Sequence, residues 1–213
     1  VLSRAGLGGM VEVTVQVDNV GDAPSLLQAW IDRGDSEQTA DTSDAPFVLT
    51  PPISRVEPGR SQALRLIFTG EQLPTDRESV FWLNVLDVPP SPENSDGEEQ
   101  NYLQVAFRSR LKLFYRPQGL AGNANDAPAA LRWSRNGDHL RVENPSSFHV
   151  TLAEVHAVTS SGERPIEKSG AMVAPKQNLE FTAPAGIQQV RFITVNDYGG
   201  QVEHTIRLTG TAD

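Results

Sequence analysis

The stretch NYLQVAFRSRLKLFYRP, residues 101–117, alternates apolar and polar side chains over most of its length. Leu103, Val105 and Phe107 stand two positions apart and are separated by polar or small residues. Because successive side chains of a β-strand point to opposite faces, this spacing predicts a strand with one apolar face. The alternation continues to Pro117, so the predicted strand is longer than the usual length of roughly 5–6 residues.

The segment before this strand, residues 91–100, is too polar to pack into a core, since it carries Glu93, Asp96, Glu98 and Glu99. A long apolar strand that follows an acidic loop has two interpretations. It is either the spine of a β-sandwich or an edge onto which another chain can add a strand.

Composition limits the classes of protein that need to be considered. A chain of 213 residues suits one large domain or two domains of about 100 residues each. The net charge of −9 argues against nucleic acid and against an anionic membrane surface as partners. No apolar run approaches the roughly 20 residues of a spanning helix, so the chain is not expected to be membrane-embedded. The absence of cysteine excludes disulfides and thiol catalysis.

The first half of the chain predicts many short strands bounded by Pro, Gly, Asp or Ser. Apolar residues alternate with polar ones most clearly in MVEVTVQV, residues 10–17. Further strands are predicted at 26–31, 47–49, 63–68 and 80–88. About seven strands at this spacing favour a β-sandwich.

The second half repeats this organisation after a stretch rich in Gly, Ala, Asn and Pro, residues 118–130, which predicts a linker. Asn136-Gly137 predicts a tight hairpin turn, because both residues tolerate positive φ. Strands are predicted at 131–135, 139–143, 150–158, 178–181, 189–195 and 202–208. We therefore predict an all-β protein of two sandwiches joined near residue 117, with domains at 1–117 and 118–213.

Signals of catalysis, metals or cofactors are weak in this sequence. The four histidines lie far apart and form neither a His-x-His nor a His-Glu-x-x-His pair. The sequence contains no Gly-x-Ser-x-Gly nucleophile motif and no phosphate-binding glycine loop. We expect no catalytic residue, no metal and no cofactor, so an enzyme is not expected.

The segment LPTDRESVFWLNVLDVPP, residues 73–90, carries a family resemblance. Its order of proline, acid, base and aromatic resembles the signature of the periplasmic pilus and fimbrial chaperones of the chaperone–usher pathway (PapD-like). Further matches extend over most of the chain: Gln28–Ile31, Thr50–Pro52, Lys112–Pro117, Glu143–Pro145 and Asn196–Gly200.

This resemblance implies a fold, a function and partners. It implies two immunoglobulin-like β-sandwich domains in an L-shaped (boomerang) arrangement. It also implies a periplasmic protein of a Gram-negative bacterium that binds, folds and caps fimbrial subunits and delivers them to an outer-membrane usher. In such chaperones the last strand of the first domain completes the incomplete fold of a subunit, which is a form of β-strand addition called donor-strand complementation.

The same resemblance assigns residues to this function. Leu103, Val105 and Phe107 would fill the groove of the subunit; alternatively they face the protein's own core. Lys112, together with Arg4, would anchor the C-terminal carboxylate of the subunit in the cleft between the domains. The residues around Arg4 depart from the family pattern, so a surface arginine is the alternative there.

Three further charges, Glu78, Arg116 and Asp197, match those with which the family holds its two domains at a fixed angle; alternatively they are unrelated surface charges. A rival function is a tandem immunoglobulin-like adhesion module without chaperone activity, which would place residues 103–107 in a conventional core. For the chaperone without its subunit we expect weak self-association through the apolar strand, because exposed strand edges attract further strands.

Overall fold

The computed structural model describes residues 2–3, 12–91 and 103–208. The chain forms two compact units. The first comprises Val1–Pro74 and Ser79–Gln118, and the second comprises Thr75–Glu78 and Gly119–Asp213. The four residues that precede Ser79 therefore group with the later part of the chain.

In the described part of the first unit there are a five-stranded and a three-stranded sheet. Its strands are β1 Leu2–Ser3, β2 Glu12–Asp18, β3 Ser25–Asp32, β4 Phe47–Thr50, β5 Ile53–Val56, β6 Ser61–Phe68, β7 Ser79–Val88 and β8 Phe107–Arg116. The larger sheet has the order β1-β8-β7-β3-β5, and the smaller one has the order β2-β6-β4. All these pairings are antiparallel except that of β1 with β8.

Apolar side chains from both sheets meet in one core, as the alternation along the strands predicts. The buried core residues are Leu27, Ala29, Ile31, Val56, Leu64, Leu66, Phe81, Leu83, Val85, Leu113 and Tyr115. From β2, Val13, Val15 and Val17 pack against this core while the intervening residues are exposed. The predicted strand at 10–17 is thus present from Glu12, since residues 10 and 11 lie outside the described part of the chain.

Strand β8 is shorter than the strand predicted at 101–117. It begins at Phe107, and residues 103–106 belong to no strand; residues 101 and 102 of the prediction lie outside the described part of the chain. The reason lies in its partner β7, which ends at Val88 and is followed by Pro89 and Pro90. Proline has no N–H to donate, so the ladder ends at the pair Asp87 and Phe107.

The second unit also forms two sheets within its described residues, which end at Leu208. Its strands are β9 Arg132–Asn136, β10 His139–Glu143, β11 Val150–Thr159, β12 Gly162–Glu167, β13 Ala171–Val173, β14 Asn178–Thr182, β15 Ile187–Val195 and β16 Gln201–Arg207. One sheet has the order β14-β10-β9, and the other has the order β12-β11-β15-β16 with β13 paired to β11. Among the described residues no helix is long and apolar enough to cross a membrane.

Residues 119–130 of the predicted linker belong to the second unit, and Gln118 belongs to the first. Ala127, at the start of a short 3-10 helix (Ala127–Ala130), is buried in the core, and Leu120 and Ala124 pack against it. Small apolar residues between turns can therefore contribute to packing even where composition favours a linker. The predicted hairpin is present one residue later, because Asn136 pairs with His139 and leaves Gly137 (φ +61°) and Asp138 as its loop.

Candidate functional site

The inner face of β8 changes from buried to exposed along the strand. Near its end, Leu113 and Tyr115 are each only 6% exposed. Towards its start, the same face presents Leu111 at 51% and Phe107 at 67% exposure. Before the strand, Val105 is 46% exposed and Leu103 is 89% exposed. These apolar side chains therefore lie outside the core, contrary to the interpretation that 103–107 form part of it.

The opposite sheet explains this change. The Tyr115 ring packs against Phe68 of β6, with ring centroids 4.6 Å apart. Among the described residues the opposite sheet has three strands against five, and these three strands leave part of the inner face of the larger sheet uncovered. Beside Ser109 of β8 the two sheets leave a cavity of about 290 Å³, which Val17, Leu27 and Val85 also line. As far as the described residues extend, the sandwich is thus open next to the exposed half of β8.

The start of β8 also lies at a sheet edge. On one side β7 pairs with the strand from Phe107 to Tyr115. On the other side β1 pairs only with Tyr115 and Arg116. Within the described ranges no strand pairs with this second side between Phe107 and Leu111. A β-strand directs alternate N–H and C=O groups to its two sides, so this edge can accept another strand.

The segment 103–106 continues from this edge without joining the ladder. The Gln104 side chain donates a hydrogen bond to the Pro89 carbonyl oxygen at 2.7 Å. This contact holds the segment beside the end of β7, although Pro89 cannot donate a ladder hydrogen bond.

The outer face of β8 carries three cations that lie over tryptophan rings. The Arg108 guanidinium lies 4.8 Å from the Trp30 ring centroid, and that of Arg110 lies 4.4 Å from Trp82. The Lys112 Nζ is 5.6 Å from the same Trp82 ring. Cation–π contacts at these distances are attractive, because the face of an aromatic ring is electron-rich. The two faces of β8 therefore differ: the inner one is apolar and the outer one is cationic.

A buried polar pair, Asp32 on β3 and Asn84 on β7, lies beneath these cations; both residues are fully buried. Arg110 donates two hydrogen bonds to the Asp32 carboxylate, at 2.6 and 3.3 Å. Asn84 Nδ2 donates to Asp32 Oδ2 at 2.7 Å, and Asn84 Oδ1 accepts two bonds from Arg108 at 2.8 and 3.0 Å. The Gly34 N–H donates to Asp32 Oδ1 at 2.7 Å.

The protonation of Asp32 follows from this environment. Burial alone raises the pKa of its carboxyl group. The hydrogen bonds from Arg110, Asn84 and the Gly34 backbone, together with the charge of Arg110, outweigh burial and lower this pKa below its ordinary value. Asp32 is therefore held as a carboxylate at neutral pH.

The two predicted anchors of the subunit carboxylate are Lys112 and Arg4. Lys112 lies on the outer face of β8 and is half-buried. Burial lowers the pKa of its amine, because a charged group is less stable away from water. Arg4 lies outside the described residues, so its role stays a prediction.

The three predicted interdomain charges occupy distinct elements. Glu78 is buried in the second unit, where its Oε2 accepts a hydrogen bond from the His149 N–H at 2.8 Å and its own N–H donates to the Ser147 carbonyl at 2.9 Å. Arg116 is the last residue of β8. Asp197 lies in the turn after β15. An ion-pair set among these three charges stays a prediction.

Asn196 and Asn144, in the two second-domain motifs, shape turns. Asn196 Oδ1 accepts hydrogen bonds from the N–H groups of Tyr198 and Gly200 at 3.0 and 2.8 Å. The buried Asn144 Nδ2 donates to the Phe148 carbonyl at 2.7 Å. Each asparagine satisfies backbone groups that its turn leaves without a strand partner.

Sequence reasoning missed the role of Asp32, Arg108 and Arg110. The available signal was the row of cations at alternate positions, Arg108, Arg110 and Lys112, on the face opposite the apolar residues. Carboxylates or aromatic rings on the neighbouring strands are favourable cross-strand partners for such a row of cations.

Known protein families and proteins match this chain over most of its length. Residues 8–121 match the family model "Pili and flagellar-assembly chaperone, PapD N-terminal domain", and residues 126–206 match "Pili assembly chaperone PapD, C-terminal domain". The probable fimbrial chaperone YadV of Escherichia coli (strain K12) is 41% identical over 206 residues, which cover 92% of this chain and 83% of that protein. The chaperone protein FimB/FhaD of Bordetella pertussis is 44% identical over 198 residues, covering 90% of this chain and 80% of that protein.

A solved structure is similar over both units. The structure of the Salmonella enterica SafA pilin in complex with the SafB chaperone matches with a TM-score of 0.77 and 28% identity, covering 98% of this chain and 100% of that chain. Two family models together match most of the chain, and these two relatives are well above 30% identity over about nine-tenths of it. The chain therefore belongs to the family of PapD-like pili assembly chaperones.

Proposed function

We propose that this protein is a periplasmic chaperone that binds, folds and caps fimbrial subunits by donor-strand complementation and delivers them to an outer-membrane usher. The main observation in support of this proposal is the row of exposed apolar side chains, Leu103, Val105 and Phe107, at an open strand edge. Family membership supports a chaperone role, and the similar SafB chaperone was solved in complex with a pilin. The function is binding rather than catalysis, because the related proteins are chaperones.

The edge of β8 supplies the backbone part of this binding. A subunit strand that adds beside Phe107–Leu111 would pair with N–H and C=O groups on the side away from β7. Each such hydrogen bond contributes roughly 0.5–1.5 kcal/mol net. Pairing would continue along 103–106, since these residues belong to no strand in the protein without subunit.

The exposed side chains supply the apolar part. Burial of Leu103, Val105 or Phe107 in a subunit groove would contribute roughly 1.5–3 kcal/mol for each residue. Their spacing of two positions suits alternate pockets of one groove. A tandem adhesion module would place these residues in a conventional core, whereas all three are exposed.

Lys112 supplies the charged part of the proposed site, together with Arg4. A terminal carboxylate offers full negative charge and two acceptor oxygens, and hydrogen bonds between charged groups run about 1.5–3 kcal/mol. Burial disfavours the charged form of Lys112, so its pKa lies below that of an exposed lysine. A carboxylate partner would offset this penalty, and the pKa of Lys112 would then rise on binding.

Two valines of similar exposure allow a matched test. Val105 is 46% exposed beside the proposed donor edge, and Val48 is 52% exposed on β4 of the other sheet. The variants Val105→Ser and Val48→Ser are compared for their affinity to a strand-deficient fimbrial subunit and for melting temperature. We expect Val105→Ser to weaken binding about tenfold, which corresponds to about 1.4 kcal/mol, and Val48→Ser to leave it unchanged. Equal effects of the two variants would reject the donor-strand site.

A further inference from the structure

We propose that Arg108 and Arg110, held by the buried Asp32–Asn84 pair, are positioning residues that keep the start of β8 formed and ready for a subunit strand. This inference rests on the proposed function, since it explains how the donor edge is maintained before a subunit arrives. We call Asp32, Asn84, Arg108 and Arg110 the β8 clamp.

The start of β8 needs such support because its inner face contributes little packing. Phe107 and Leu111 are exposed, and Ser109 borders a cavity. Within the described residues only β7 pairs with the strand between Phe107 and Leu111. A strand segment with one ladder and no buried side chains opens easily, since few contacts are lost on opening.

Arg108 ties this segment to three other parts of the first unit. Its Nε and Nη2 donate to Asn84 Oδ1 on β7, at 3.0 and 2.8 Å. Its Nη1 donates to the Ser36 carbonyl at 2.7 Å, and its guanidinium lies over the Trp30 ring of β3. The Trp30 indole N–H in turn donates to the Gln38 carbonyl at 3.1 Å. One side chain thus fixes the exposed end of β8 to β7, to β3 and to the loop after β3.

Arg110, two residues further along the same face of β8, makes a second attachment. Its guanidinium binds both oxygens of Asp32 and lies over Trp82. The planar guanidinium allows two parallel hydrogen bonds and ring contact at once, which a lysine at this position could not provide.

Asn84 couples the two arginines. Its amide nitrogen donates to Asp32, while its amide oxygen accepts from Arg108. The strand register places Asn84 directly between Trp30 of β3 and Arg110 of β8. Loss of one clamp member would leave buried polar atoms without partners, so the clamp is stable only as a complete set.

The consequence for subunit capture is pre-organisation. A subunit that meets a formed edge does not have to order that edge during binding, so more of the interaction energy appears as affinity. The clamp acts entirely through the outer face of β8, and it therefore leaves the inner apolar side chains and the open edge available.

The test compares Arg108→Gln with Arg65→Gln as a matched control. Arg65 makes two hydrogen bonds to Glu12, at 2.7 and 3.0 Å, on the other sheet of the same unit. Amide hydrogen exchange of residues 107–111 is measured in the protein without subunit, and affinity is measured for a strand-deficient fimbrial subunit. We expect Arg108→Gln to raise exchange and to weaken affinity, each about tenfold, and Arg65→Gln to change neither.

A second variant, Asp32→Asn, should act in the same direction, because Arg110 loses its charged partner while the shape is kept. Arg108→Lys should not restore the lost affinity, since an ammonium cannot make the forked contact with Asn84. The clamp proposal is overturned if the amides of residues 107–111 exchange at the same rate in Arg108→Gln and Asp32→Asn as in the unaltered protein.

The valine variant separates this inference from the proposed function. If Val105→Ser weakens binding and the clamp variants do not, the clamp is rejected while the chaperone function stands. If Val105→Ser leaves binding unchanged, the donor edge fails, and the clamp fails as a device for subunit capture.

Discussion

The two halves of β8 follow the same alternation but have opposite surroundings. Leu113 and Tyr115 are buried in the core of the first unit, whereas Phe107 and Leu111 on the same face are exposed. The difference comes from the opposite sheet, since Phe68 covers Tyr115 while a cavity opens beside Ser109. Alternation along a strand therefore predicts which side chains share a face, and the neighbouring sheet decides whether that face is covered.

The largest expected effect contrasts these two halves directly. Leu113→Ala should lower the free energy of unfolding by roughly 2–5 kcal/mol, because it leaves a cavity in a packed core. Phe107→Ala removes an exposed side chain and should change this free energy by only about 0.5 kcal/mol. Urea unfolding of both variants measures the two values.

Subunit affinity should rank the same variants in the reverse order. Phe107→Ala should weaken binding, while folded Leu113→Ala should bind nearly as well as the unaltered protein. A Phe107→Ala protein that unfolds as easily as Leu113→Ala would contradict the division of β8 into a structural and a binding half.

The second prediction concerns the charged outer face at the boundary of these halves. Lys112→Ala should weaken subunit capture by roughly 1.5–3 kcal/mol, because a charge-assisted bond to the terminal carboxylate is lost. Circular dichroism should show an intact fold, and subunit pull-down measures capture. Amidation of the C-terminus of a test peptide should have a similar effect on the unaltered protein. Normal capture by Lys112→Ala would reject the anchor.

Much of the fold follows from local patterns in the sequence. Alternation in β2, and short apolar stretches between turn residues elsewhere, located β2, β3, β6, β7 and β11 within a few residues of their observed ends. The short strands β1, β5 and β13 and the polar strand β12, GERPIE, escaped prediction. Pro165 within β12 argues against a central strand, and β12 is in fact at the edge of its sheet.

The candidate site was only partly predictable for a related reason. Leu103, Val105, Phe107 and Lys112 lie in one segment, so a motif could identify them together. The β8 clamp instead joins residues from three strands that are distant in the sequence. Its contacts depend on the register of β3, β7 and β8, which short-range periodicity does not determine.

The third prediction concerns the pH dependence of the stability that the outer face of β8 gains from Asp32. The folded pKa of Asp32 is lowered, so its carboxylate stabilises the fold above the unfolded pKa of about 3.9. This contribution is lost as pH falls through the folded pKa, while Arg108 and Arg110 stay charged. Asp32→Asn should therefore cost about 1.5 kcal/mol at neutral pH, and the cost should shrink in strong acid.

Urea unfolding of Asp32→Asn and of the unaltered protein at pH 7 and pH 3 measures this difference. Phe107→Ala serves as the comparison, because the inner face at that position holds no titrating group. A cost of Asp32→Asn that is the same at both pH values would show that the Asp32 charge does not stabilise the fold.

The smallest expected effect is self-association of the protein without its subunit. The open edge and the exposed inner face at the start of β8 invite a second strand, and a two-fold dimer would bring the same patch of both copies together. The net charge of −9 opposes close approach. Salt screens charges beyond roughly 10 Å at 0.1 M, so salt should favour the dimer.

Sedimentation across protein and salt concentrations tests this expectation, and Phe107→Ser is the informative variant because it removes apolar surface from the exposed half alone. We expect a weak dimer that salt strengthens. Its loss in Phe107→Ser, or on addition of a subunit, would locate self-association on the donor edge. A strict monomer with full amide-exchange protection at 107–111 would mean that the edge is satisfied within one chain. In that case the two halves of β8 would still differ in exposure, but neither half would have an edge available for a subunit strand. The donor-strand assignment would then fail.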